Sequence, residues 1–364
     1  MSQPSGSPRQ IPVVVLAGFL GSGKTTLLNH LLHRSGGSRI GAIVNDFGAI
    51  EIDAMAVAGA LGDSTVSLGN GCLCCAVDAS ELDVYLERLA APATGIDVIV
   101  IEASGLAEPE ELVRMLLASD YPGIVYGGLV EVVDAAEFDD TRAKHPEIDR
   151  HLALADLVVV NKLDRAADGA HVLDLVRSLV DRAAVVPATY GRIDPEFLFD
   201  CRPSEERIGQ LSFDDLHEHG DDTHDGHLHT AYESLSFVSE VPLDPRRLMQ
   251  FLDSRPEGLY RIKGYVDFGP YDVRNRYAVH AVGRFLRFYP EPWPADVEPR
   301  TQLVLIGSGI DTPALGKELD GCKSDAPHAD EYGMWGVLRY VQDPDEQESD
   351  EQESDEQEPA YPDL

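Results

Sequence analysis

Nine residues, Gly18-Phe19-Leu20-Gly21-Ser22-Gly23-Lys24-Thr25-Thr26, spell G-x-x-x-x-G-K-T. An apolar run, Ile11 to Ala17, leads in, and Leu27, Leu28, Leu31 and Leu32 recur at helical spacing behind it. Strand, glycine-rich loop and helix together form the setting of a phosphate-binding P-loop. Successive backbone N–H groups of such a loop turn inward as an anion nest, and the positive end of the following helix dipole points at the same spot. Gly21, Ser22, Gly23 and Thr26 then cradle phosphates. Lys24 reaches the β- and γ-phosphates, and the Thr25 hydroxyl ligates Mg²⁺. A glycine-rich turn that binds nothing does not need the full pattern in this context.

Two further stretches extend the reading to a particular nucleotide. Ile99-Val100-Ile101-Glu102-Ala103-Ser104-Gly105 is an apolar strand that ends in a carboxylate and a flexible turn. Glu102 there can join the Mg²⁺ shell or orient the attacking water, and the Gly105 N–H can sense the γ-phosphate. Asn161-Lys162-Leu163-Asp164 follows another apolar run, Leu157–Val160. The Asp164 carboxylate can accept both guanine N1–H and the exocyclic amine, a donor pair that adenine lacks. Asn161 can meet the carbonyl side of the base, the Lys162 stem can cover its face, and Pro187-Ala188-Thr189 can add a backbone contact. The expected ligand is GTP rather than ATP.

Gly71-Cys72-Leu73-Cys74-Cys75 lies between the Asn45-Asp46 turn and the Glu102 strand. Cys72, Cys74 and Cys75 as thiolates suit a soft or borderline ion such as Zn²⁺ or Cu(I). Asp46, Glu51, Asp53, solvent or a partner would supply the fourth ligand. Buried structural thiols or a redox pair are the alternatives. His217, His219, His224, His227 and His229 form a second candidate, a low-affinity metal collector or a plain polar loop.

These residues need a frame. From residue 11 to about 200, the apolar runs Ile11–Ala17, Ile40–Val44, Ile96–Ile101, Ile124–Val133, Leu157–Val160 and Ala184–Pro187 alternate with helical stretches near 25–34, 78–91, 109–118, 147–155 and 168–182. That alternation implies an α/β fold with a mostly parallel sheet flanked by helices, and ligands at the carboxyl ends of its strands. Asp214 to His229 holds six acidic residues, five histidines and no Lys or Arg, which reads as a linker. Beyond it come strand-like runs at Tyr232–Ser239, Leu259–Phe268, Ala278–Phe288 and Thr301–Ile306, with helices at Asp244–Ser254 and Asp311–Leu319. They predict a smaller α+β domain with an antiparallel sheet. The expected boundaries are a flexible N-terminus at 1–10, a P-loop domain at 11–205, a linker at 206–230, the second domain at 231–340 and an acidic tail at 341–364.

Composition narrows the partners. A net charge of −35 argues against nucleic acid or an anionic membrane surface. Residues 343–364 hold eleven Asp or Glu and no Lys or Arg, with Asp-Glu-Gln-Glu repeated from Asp345, Asp350 and Asp355. Such a segment is expected to be a disordered, solubilising tail. No apolar run is long enough to span a membrane, and Met1 to Gln10 has no signal-peptide core, so a cytoplasmic protein is expected.

In order, Gly-Phe-Leu-Gly-Ser-Gly-Lys-Thr-Thr, Asn-Asp-Phe-Gly, Gly-Cys-Leu-Cys-Cys, Glu-Ala-Ser-Gly and Asn-Lys-Leu-Asp resemble the CobW-like GTPases, P-loop metallochaperones related to UreG and HypB. Leu259-Tyr-Arg-Ile-Lys-Gly264 and Leu303-Val-Leu-Ile-Gly307 are similar to the family's C-terminal module, so the likeness covers most of 11–320. It implies slow GTP hydrolysis coupled to delivery of a metal, often zinc, to a client protein. By motif match, Gly21 to Thr26 would carry phosphates and Mg²⁺, Glu102 and Gly105 the switch, Asn161, Lys162 and Asp164 the guanine, and Cys72, Cys74 and Cys75 the zinc. A nucleotide-dependent homodimer is compatible with it. Two features depart from the family pattern: Asn45-Asp46-Phe47-Gly48-Ala49 lacks the acidic fifth residue, with Glu51 two places later, and the acidic tail is extra. The rival readings are cobalt or iron insertion for a corrin or nitrile-converting enzyme, and a zinc store with little hydrolysis.

Overall fold

The computed structural model describes residues 10–45, 65–68, 79–105, 108–199, 232–295, 297–324 and 332–341. Strands β1 (Ile11–Ala17), β2 (Ile40–Asn45), β3 (Thr65–Leu68), β4 (Val98–Glu102), β5 (Ile124–Asp134), β6 (Leu157–Asn161) and β7 (Ala184–Pro187) form one sheet in the order β3-β2-β4-β1-β5-β6-β7. Every pairing in it is parallel. Parallel strands are covered on both faces, which is why their sequences are apolar throughout rather than alternating. In β1, Val14 and Leu16 join one core, with Leu27, Leu28 and Leu31 of α1 (Lys24–His33). Val13 and Val15 join the opposite core, with Leu82, Leu86 and Leu89 of α2 (Ala79–Ala90) and Leu112 and Leu116 of α3 (Pro109–Leu117). Helices α4 (Phe138–Lys144), α5 (Ile148–Leu154) and α6 (Gly169–Leu179) close a third cluster over β6 through Phe138, Leu152, Val172 and Val176. The short α7 (Pro195–Leu198) follows β7.

The remaining strands, β8 (Glu233–Ser239), β9 (Leu259–Val266), β10 (Asn275–Val282), β11 (Phe285–Pro292) and β12 (Thr301–Gly307), form an antiparallel sheet ordered β11-β10-β9-β12-β8. One face packs on α8 (Pro245–Asp253), α9 (Thr312–Gly321) and the short α10 (Trp335–Leu338) through Leu248, Phe251, Leu315, Leu319 and Val337. Asp244 caps α8 by accepting from the Arg246 and Arg247 N–H groups, and Asp311 caps α9 through the Ala314 N–H. The other face meets the parallel sheet. Tyr260, Val282 and Ile306 belong to the same core cluster as Val14 and Leu16. The Tyr260 ring stacks on Phe197, with centroids 5.2 Å apart and planes 3° apart. The His280 Nε2–H donates to the Tyr126 carbonyl at 2.9 Å.

The expected α/β frame followed by an α+β module is therefore present. Some local expectations need correction. The run Ala278–Phe288 is two strands joined by the turn Gly283-Arg284, with Val282 opposite Phe285. Strand β3 and helix α4 had no counterpart in the sequence reading. Among the described residues no helix is long and apolar enough to cross a membrane.

Candidate functional site

The P-loop sits at the carboxyl end of β1, between its neighbours β4 and β5. Gly18, Gly21 and Gly23 all take positive φ, at 140°, 78° and 105°. Gly23 precedes α1 where a Cβ would collide with the Asn161 amide, so both its backbone and its neighbour demand glycine. Lys24 is buried, and its Nζ donates to the Gly18 carbonyl at 2.8 Å and the Phe19 carbonyl at 3.3 Å. The ammonium thus lies folded over the loop it would share with a triphosphate.

Thr25 and Glu102, 77 positions apart in the chain, meet at this point. The Thr25 hydroxyl donates to Glu102 Oε1 at 2.7 Å. Glu102 is the last residue of β4 and is only 4% exposed. A hydroxyl and a carboxylate side by side are hard oxygen donors, the set that Mg²⁺ takes alongside nucleotide phosphates. The Thr25–Glu102 pair fits that ion. Gly105, three residues on, lies so close to Leu20 that a Cβ there would come within 2.8 Å of the Leu20 nitrogen. The turn after β4 therefore rests directly on the P-loop backbone.

The Asn161–Asp164 stretch ends β6 on the other side. Asn161 is 1% exposed, and both its polar atoms are engaged: Nδ2 donates one hydrogen to the Ser22 carbonyl at 3.0 Å and Oδ1 accepts the Gly191 N–H at 2.9 Å. It straps the P-loop to the loop after β7. Lys162 takes a left-handed φ of 59°. Its Nζ donates to the Gly21 carbonyl at 2.5 Å and to Asp134 Oδ2 at 2.6 Å, which lays the stem across the loop. Asp164 lies in the 3₁₀ turn Leu163–Arg165, partly exposed, and Ala188 O accepts the Leu163 N–H at 3.4 Å. Thr26 is exposed on the first turn of α1. Lys24, Thr25, Glu102, Gly105, Asn161 and Lys162 are thus brought onto one short loop.

Sequence reading missed three residues here. Asp134, at the end of β5, anchors Lys162, and Gly191 receives Asn161. The third is Glu131, inside β5 and 2% exposed. Among the described residues, its Oε2 and the buried Ser22 Oγ have no hydrogen-bond partner. Both line a cavity of about 150 Å³ behind the P-loop, together with Phe19, Val133, Phe138 and Ile148. Burial pushes the Glu131 carboxyl up to about 8, against the opposing pull of the Lys24 charge. A lone Glu in the run Leu129-Val130-Glu131-Val132-Val133 was the available signal.

Asp46, Glu51, Asp53, Cys72, Cys74, Cys75, His217, His219, His224, His227 and His229 lie outside the described residues. Among the described residues no group of three or more His, Cys, Asp or Glu is placed to hold a metal.

Residues 12–187 match the family described as CobW/HypB/UreG, nucleotide-binding domain, and residues 232–323 match the cobalamin synthesis protein cobW C-terminal domain. The chain is 32% identical over 357 residues to the zinc chaperone CobW of Pseudomonas aeruginosa, covering 85% of this chain and 91% of that one. It is 32% identical over 196 residues to the zinc-regulated GTPase metalloprotein activator 1 of Schizosaccharomyces pombe, covering 50% and 47% of the two chains. Among solved structures, the Zn(II)-bound YjiA GTPase from E. coli aligns over 87% of this chain and all of that one, at 22% identity and a TM-score of 0.42.

Proposed function

The chain belongs to the CobW/HypB/UreG family, and from that premise we propose that it is a GTP-hydrolysing metallochaperone that carries zinc on Cys72, Cys74 and Cys75 and releases it to a client protein according to its nucleotide state. The observation that carries the reading is the 2.7 Å contact between Thr25 and Glu102 on a complete P-loop. Gly21, Ser22, Gly23, Lys24, Thr25 and Thr26 bind the phosphates; Asn161, Lys162 and Asp164 form the guanine side. When bound, Mg²⁺ neutralises phosphate charge; Thr25 and Glu102 are the residues that would hold it. The nucleotide domain runs to about residue 205 and the second domain starts at about 231, in a cytoplasmic protein.

Topology supports the coupling between nucleotide and zinc. In a parallel sheet all strands deliver their carboxyl ends to one edge. β1, β2, β3 and β4 are contiguous there, with Asn45 opposite Leu68 and Val44 opposite Glu102. The described ends of β2, β3 and β4, at Asn45, Leu68 and Glu102, therefore all lie on the P-loop's edge, and in sequence Cys72 follows β3 by four residues. A γ-phosphate that reorders the segments after β2 and β4 acts beside the root of the cysteine segment. By linkage, zinc must then change GTP affinity by the factor that GTP changes zinc affinity.

The test is a zinc titration of the protein with GTP, GDP or no nucleotide, repeated on the Cys72→Ser/Cys74→Ser/Cys75→Ser variant. The expected result is one zinc per chain, a difference of roughly tenfold or more between GTP and GDP states, and loss of that zinc in the variant. Equal affinity in all three states overturns the coupling. Stoichiometric zinc in the triple variant overturns the site.

A further inference from the structure

On the opposite edge of the parallel sheet from the P-loop, the two sheets enclose a cleft of about 190 Å³. Its walls are the starts of β6 and β7, the end of α8, the β10–β11 turn and Tyr340. Three arginines from three different elements line it: Arg182 before β7, Arg255 after α8 and Arg284 in the turn. Such a concentration is out of keeping with a chain of 64 acidic and 29 basic residues.

Two carboxylates at the cleft, Asp156 and Asp253, offset part of this charge and favour the charged form of Arg255, and Arg182 donates an Nη1 hydrogen to the Asp253 carbonyl at 3.4 Å. Asp156 is 8% exposed, and its Oδ2 already accepts from the Tyr126 hydroxyl at 2.5 Å and the Leu129 N–H at 2.9 Å. Arg284 pairs with Asp181 at 2.8 Å, but both side chains are 69% exposed, so water screens the pair. Arg255 donates its Nε hydrogen to the Leu252 carbonyl at 2.8 Å, and among the described residues its two Nη groups make no hydrogen bond. Burial, with the repulsion of Arg182, pulls the Arg255 guanidinium below its ordinary value. A partly desolvated guanidinium facing another cation is a site that an oxyanion relieves, because carboxylates match the guanidinium fork.

The described chain ends at this cleft. The Tyr340 carbonyl accepts the Phe288 N–H at 2.9 Å, Val341 bridges Phe288, and Tyr340 itself lines the cavity. Asp343, Asp345 and Glu346 follow within five residues of Val341, the first of the eleven acidic residues in 343–364. An extended chain covers about 3.3–3.6 Å per residue, so Asp345 is separated from Val341 by at most about 14 Å of chain.

We propose that Arg182, Arg255 and Arg284 form a carboxylate-binding site whose ligand is the chain's own acidic segment beginning at Asp343, and that this contact ties the end of α8 and the β10–β11 turn to the starts of β6 and β7. Tethering supplies the local concentration, on the order of millimolar for a short link, so individually weak pairs suffice. The contact is electrostatic and exposed at its rim, so salt weakens it.

Amide hydrogen exchange on the full chain tests this. At low ionic strength the amides of residues 343–348 are expected to exchange at least tenfold more slowly than in a free peptide of the same sequence. That protection disappears in 0.5 M sodium chloride and in the Arg182→Gln/Arg255→Gln variant, while β9, β10 and β12 exchange as in the parent. If the arginine variant loosens its core, the Asp343→Asn/Asp345→Asn/Glu346→Gln variant reads the same contact from the other side, with loss of protection again expected. Free-peptide rates in the parent at low salt overturn the proposal, as does protection that survives either set of substitutions. Added inorganic phosphate that newly protects residues 257–259 in the full chain overturns it too, since the cleft would then be open to a free oxyanion.

Discussion

At the scale of single residues, the site divides into groups that act on the nucleotide and groups that hold those in place. Thr25 and Glu102 act as one unit through their 2.7 Å contact. Thr25→Ala and Glu102→Gln should each lower GTP turnover by about 100-fold or more. Because the two side chains share one task, the double variant should be little worse than either single one, as steady-state phosphate release will show. Strict multiplication of the two losses would mean that they work separately. Glu131 behaves differently. Its carboxyl keeps a proton in the folded protein up to about pH 8, whereas the unfolded chain loses it near 4.5. The folded state therefore binds more protons between those values, and stability falls as pH rises from 4.5 to 8 and levels off beyond. The penalty at pH 7 is about 3 kcal/mol. Glu131→Gln should remove it, so the gap in urea-unfolding free energy between variant and parent should widen from pH 5 to pH 8. Parallel curves across that interval would show an ionised, partnered carboxylate instead.

At the scale of elements, the P-loop is fixed less by its own glycines than by what surrounds it. Asn161 binds Ser22 on one side and Gly191 on the other from a fully buried position. Asn161→Ala deletes both bonds and leaves a buried carbonyl and N–H unmatched, which should cost about 2–4 kcal/mol. Thermal unfolding will measure that loss, and a shift of under a degree would show that the strap is dispensable. This role was not legible in the tetrapeptide Asn161-Lys162-Leu163-Asp164, because the partners are backbone groups 139 and 30 positions away. The strands of the parallel sheet were legible, since burial on both faces leaves continuous apolar runs such as residues 98–101. Strand β3 was not, having only four residues, paired on one side with β2. The β10–β11 hairpin hid for another reason. Its strands alternate in phase across a two-residue Gly283-Arg284 turn, which lacks the Asn-Gly or Asp-Gly signal that marks such loops. Glu131 was visible as a letter but not as a site, because only the fold supplies the cavity behind it.

At the scale of the whole molecule, the sequence predicts two domains, but the core does not stop between the two sheets. Tyr260 from β9 is 1% exposed and lies in one cluster with Val14, Leu16 and Phe197. Its ring stacks on Phe197, and its hydroxyl donates weakly to the Gly127 carbonyl at 3.4 Å. Gly128 lies so close that a Cβ there would come within 2.8 Å of that hydroxyl. Burial of an aromatic ring at such a junction stabilises both sides at once, and truncating it leaves a cavity that neither sheet can close alone, at a cost of about 3–5 kcal/mol. The cost should fall on the contact between sheets more than on either sheet. The second sheet keeps its own cluster, with Phe251, Phe268 and Phe288 packed between strands and helices. Calorimetry of the parent should therefore give one cooperative transition, and Tyr260→Ala should split it into two, the lower belonging to the less stable half. Phe251→Ala, buried wholly within the second half, is the matched comparison: it should lower that half's stability by a similar amount without separating the transitions. Should Tyr260→Ala still melt in a single step with a midpoint equal to the parent's, the two halves are held together elsewhere, and the arginine cleft on the far edge becomes the contact to test next.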